Sequence, residues 1–75
     1  MKTQRKARKP ARYELVAYKN LAKVATLVIR RCGRYWVVED EMDHLMYDDL
    51  AYAIISEVND FLHDGCNEFT IARIE

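Results

Sequence analysis

Glycine occurs twice, proline once and cysteine twice in this chain of 75 residues, and each shortage closes off a class of structure. So little glycine and proline leaves no material for long irregular stretches, and the apolar and aromatic content is that of a folded chain. Two cysteines are too few for a disulfide scaffold and point to a reducing compartment. Cys32 and Cys66 lie far apart, without a Cys-x-x-Cys or His-x-x-x-His pairing, so no zinc set is expected. Asp40, Asp43 and His44 lack the ligand order of an EF-hand loop, and neither a metal nor a cofactor is expected. Long apolar runs are missing too: stretches such as Leu27 to Ile29 fall far short of the ~20 residues of a membrane helix. The expectation is a soluble, cytoplasmic protein without a membrane partner.

Catalytic signatures are equally scarce. The chain contains no Gly-x-Ser-x-Gly elbow, no phosphate-cradling glycine loop and no His-Glu-x-x-His, and both glycines suit turns. His63 and Cys66 stand three apart, but a helix C-terminus is the wrong end to stabilise a thiolate. A pocket of ~300 Å³ would hollow out so small a core, so an enzyme is not expected.

What the sequence does have is charge, unevenly placed. Twelve basic and twelve acidic residues cancel, yet Lys2, Arg5, Lys6, Arg8, Lys9 and Arg12 stand in the first twelve positions with no acid among them. Pro10 disfavours helix at Lys9, and six repelling cations have little apolar surface to bury. Residues 1–11 therefore read as a flexible basic arm and 12–75 as one small domain. An arm of this kind is a solvated tail or a phosphate binder; six cations engaged on duplex DNA would give a salt slope of roughly −5. Farther on, Glu39, Asp40, Glu41, Asp43, Asp48 and Asp49 place six carboxylates within eleven residues, a source of strong negative potential. Such a run is either an exposed loop with ordinary acids at a helix start, or a surface that docks on a basic groove.

Periodicity supplies the elements. The β-branched and aromatic runs on either side of Cys32-Gly33 predict a hairpin, with Leu27 and Ile29 on one face and Val28 and Arg30 on the other. Met46, Leu50, Ala53, Ile54, Val58, Phe61 and Leu62 recur at helical steps and predict one long amphipathic helix between Met42 and Asp64, starting anywhere from Asp43 to Tyr47 and stopped by Gly65. Glu68 to Ile74 alternates as a final strand. Residues 13–24 fit a helix face or a strand with a turn at Lys19-Asn20; the strand is favoured because a hairpin and one tail strand would cover the helix poorly. The fold class is α+β, an antiparallel sheet of three or four strands on one helix.

Five tyrosines and Trp36 exceed what one thin core absorbs. Tyr47, Ala51 and Ile55 follow at four-residue steps and form an apolar edge beside the acids, either a wide core stripe or a partner surface. The expected function is binding: an inhibitor or adaptor that engages a larger protein or protein–nucleic-acid complex with a basic groove through Glu39, Asp40, Glu41, Asp43, Tyr47, Asp48 and Ile55. In size and charge segregation the chain resembles the small phage-encoded inhibitors of host or defence machinery, anti-CRISPR proteins among them. The alternative is a nucleic-acid-binding accessory protein that uses Lys2, Arg5, Lys6, Arg8, Lys9 and Arg12. Opposite charges on two ends also make a homodimer a possible partner arrangement.

Overall fold

The structure is a computed structural model that describes residues 11–39 and 46–75. The arm expected over residues 1–11 lies outside the described residues apart from Ala11, and so do Asp40, Glu41 and Asp43 of the acidic junction. The elements follow the order β1 (Arg12–Lys19), β2 (Ala22–Cys32), β3 (Tyr35–Val38), α1 (Leu50–His63) and β4 (Glu68–Arg73). One antiparallel sheet holds the strands in the order β3-β2-β1-β4. The ambiguous segment after Tyr13 is thus strand, and the fold is the four-stranded α+β form.

Register sorts the side chains. Tyr13 stands between Ile29 and Arg73, Leu15 between Leu27 and Ile71, and Ala17 between Ala25 and Phe69, while Ile29 meets Val38. These rows share the face that α1 covers, because side chains opposite one another point the same way. Ile29, Val38, Tyr47 and Ala53 form the buried cluster, with Leu27, Trp36, Leu50 and Ile54 packed against it. Ala53 presents no bulk, which lets the helix approach the sheet closely. A register shift after Ala17 leaves Val24 as the extra residue of a β-bulge on β2.

The turns show local chemistry at work. Asn20 and Leu21 both have positive φ, 51° and 72°, the pattern of a type I′ hairpin turn, so the loop sits one residue beyond the expected Lys19-Asn20. In the second hairpin only Gly33 is positive, at 65°, as a type II′ turn requires. α1 starts later than its sequence period implies. Asp49 is its N-cap and accepts a hydrogen bond from the Tyr52 N–H at 2.8 Å, whereas Tyr47 instead forms a β-bridge with Trp36. A short acidic side chain satisfies the orphan donors of a first turn better than a helix interior uses it, so Asp48-Asp49 fixes the boundary. At the other end the Gly65 N–H bonds Leu62 C=O and the Cys66 N–H bonds Phe61 C=O, both at 3.0 Å, with Gly65 at φ 95°. This is a Schellman stop, and its left-handed position is the one glycine fills without strain.

Candidate interaction surface

Tyr47 and Tyr52 stand five residues apart and go opposite ways. Tyr47, expected on the partner edge, is only 6% exposed and belongs to the core. Its hydroxyl donates to Glu57 Oε2 at 2.9 Å and lies 3.3 Å from Ser56 Oγ, which gives the otherwise costly buried carboxylate a partner. Burial pushes the Tyr47 phenol above its ordinary range, and the Glu57 carboxylate adds to the shift. The backbone bridge to Trp36 points this ring under α1, a placement that helix spacing alone does not contain.

The outer face of α1 carries what Tyr47 does not. Tyr52 is 61% exposed, Ile55 59% and Leu62 50%, although Leu62 was expected in the core stripe. At 100° per residue, Ala51, Ile55 and Leu62 line one flank of this face, with Tyr52 and Asn59 beside them. Around these side chains stand Asp48, Asp60 and Asp64, all exposed, and no lysine or arginine occurs between residues 46 and 67. An apolar ridge results on a segment whose own formal charges are all negative, and Lys19 of β1 approaches only its far end, beside Gly65 and Asp64. The sequence signal for Tyr52 and Leu62 was present in the spacing 52, 55, 59, 62, but it was masked by the overlapping core period.

The other expected contacts are distributed differently. Ile55 belongs to this ridge and Asp48 is exposed just before α1, whereas Glu39 is engaged elsewhere. Arg12 Nε donates to Glu39 Oε2 at 2.8 Å and Nη2 to Oε1 at 3.0 Å, a bidentate fork, and Arg30 Nε stands 3.6 Å from the same carboxylate. The Arg12 fork holds the Glu39 carboxyl below its ordinary 4.5. Arg12, counted with the cations of the arm, is therefore tied into the sheet. Lys2, Arg5, Lys6, Arg8 and Lys9 lie outside the described residues.

Cys32 is exposed and Cys66 buried, and both are free thiols. Among the described residues no group of three or more His, Cys, Asp or Glu is placed to hold a metal ion, and no helix is long and apolar enough to cross a membrane. Compared with protein-family models, with curated proteins and with solved structures, the chain matches none.

Proposed function

We propose that this chain is a non-enzymatic binding module, an inhibitor or adaptor that engages a larger protein or nucleic-acid-handling complex through the outer face of α1 and the acidic junction before it. One observation carries the reading: Tyr52, Ile55 and Leu62 stand half or more exposed on a helix segment whose only formal charges are negative. Tyrosine and large aliphatic side chains supply the desolvated centre of an interface, and a charged rim selects the sign of the partner. A basic groove with an apolar floor is the complementary surface. Small size and segregated charge suit an inhibitor of the phage-encoded style, which displaces a phosphate backbone from such a groove.

The test begins with affinity capture of the partner from the native cell and continues with binding kinetics. Tyr52→Ala with Ile55→Ala is expected to speed dissociation at least tenfold, because each removes centre contacts. Asp40→Lys with Asp43→Lys is expected to slow association, by a factor that shrinks as salt is raised. Unchanged kinetics in both double variants would sink the proposal.

A further inference from the structure

α1 leaves one corner of its own side of the sheet uncovered. Near its start it packs through Ala53 on Ile29 and Val38, and near its end Phe61 approaches Phe69 of β4, with ring centres 6.4 Å apart. The helix thus crosses from the β3 side to the β4 side as it rises. Behind it, at the starts of β1 and β3 and the ends of β2 and β4, Tyr13 and Trp36 are half-buried and Arg31 and Arg73 exposed.

These four side chains form a chain of contacts, two adjoining rings with an arginine at each end. Arg31 Cζ lies 5.7 Å from the centre of the Trp36 ring, Trp36 and Tyr13 meet edge to face at 5.9 Å, and Arg73 Cζ lies 5.9 Å from the Tyr13 ring. One residue comes from each strand, so the array crosses the whole sheet, about 14 Å at ~4.8 Å per strand. Each guanidinium is oriented through Nε, Arg31 to Gly33 C=O at 3.0 Å and Arg73 to Glu75 C=O at 2.8 Å. At the same corner the Arg31 N–H bonds Ala11 C=O at 3.0 Å.

We infer that the array of Arg31, Trp36, Tyr13 and Arg73 is a binding site for single-stranded nucleic acid. Rings give flat surfaces on which unpaired bases stack whatever their sequence, and guanidinium forks take phosphate oxygens. An exposed guanidinium, as Arg31 and Arg73 both are, is held weakly over a ring. A base can take its place on the ring while the guanidinium turns to the phosphate, so the resting contacts preform the site without blocking it. Duplex DNA hides its bases and has nothing to offer the rings. This site lies apart from the outer face of α1 and does not depend on the reading of that face.

Trp36 is the single tryptophan, so its emission reports the site directly. The full chain is titrated with a thymidine oligonucleotide of about twelve nucleotides, within the span such sites cover. Binding is expected to quench Trp36 and to weaken with salt. Arg31→Gln with Arg73→Gln is expected to lower affinity at least tenfold and to flatten the log–log salt slope by about 1.4, at ~0.7 per phosphate contact. Tyr13→Phe is expected to keep binding and Tyr13→Leu to lose about tenfold. Circular dichroism establishes that each variant is folded, and the exposed arginine pair decides the matter if Tyr13→Leu is not. Four results would overturn the inference: no binding at low salt, an unaffected arginine double variant, equal affinity for a duplex of the same length, or binding that vanishes only in Lys6→Ala, Arg8→Ala, Lys9→Ala.

Discussion

The helix layer and the sheet layer of this domain carry opposite charge. Residues 46–67 hold Asp48, Asp49, Glu57, Asp60 and Asp64 without a lysine or arginine. The described strands and their turns hold Arg12, Lys19, Lys23, Arg30, Arg31, Arg34 and Arg73 against Glu14, Glu39, Glu68 and Glu75. The ion pairs Arg12–Glu39, Arg30–Glu39 and Arg12–Glu75 all stay within the sheet layer. Apolar packing joins the layers, so each outer surface keeps its own sign for a partner. A net charge of zero therefore describes neither face.

Within the helix layer the sharpest contrast is between the two tyrosines, one facing in and one facing out. Tyr47→Ala is expected to cost about 3–5 kcal/mol, the range for losing a buried aromatic ring, and in a domain this small to abolish cooperative melting. Tyr52→Ala should change stability by no more than ~0.5 kcal/mol while weakening partner binding. Thermal melting of both variants checks the pair, and equal losses of stability would erase the distinction between inner and outer face. A subtler cut is Tyr47→Phe, which keeps the ring and leaves Glu57 without the phenol donor; about 1–3 kcal/mol is expected from denaturant titration.

Asp49→Ala removes the cap that sets where the acidic layer begins, with an expected cost of about 1 kcal/mol in urea unfolding. The sheet layer has a counterpart of opposite sign. Leu21 occupies a left-handed position at φ 72° with 86% of its surface in water, so it meets strain and buries nothing. Leu21→Gly should raise stability, by about 1 kcal/mol at most after the extra chain entropy of glycine is subtracted. Melting of Leu21→Gly beside Leu21→Ala separates relief of strain from loss of an exposed leucine.

The smallest expected effect is on pH dependence. Arg12 lowers the folded-state pKa of Glu39 below its ordinary 4.5. A group whose folded value is depressed contributes stability above its unfolded value and loses it as pH falls through the folded one. Melting temperatures of the wild-type chain and Glu39→Gln should accordingly differ at neutral pH and converge below about pH 4.5, at low salt more clearly than at high. Parallel curves down to strong acid would show that the fork contributes nothing that titrates.

Local signals carried much of this fold. Alternation around Cys32-Gly33 and from Glu68 marked strands, because a pleated half-buried strand repeats every two residues whatever it pairs with. Gly65 marked the helix stop because few other residues accept φ 95°. Asp49 was visible as an acid suited to a helix start, yet the apolar period ran on through Met46 and hid the boundary. The surrounding sheet decided what these signals could not. Whether Tyr13 to Lys19 became strand depended on β2 and β4 lying on either side of it. Whether Tyr47 or Tyr52 faced a partner depended on a bridge to Trp36 and on Glu57 ten residues later. The array of Arg31, Trp36, Tyr13 and Arg73 exists only because the pairs Arg31–Trp36 and Tyr13–Arg73 fall in adjacent register rows on one face of the sheet. Periodicity along a chain records which residues share a face, and only the packing of elements determines which face meets water.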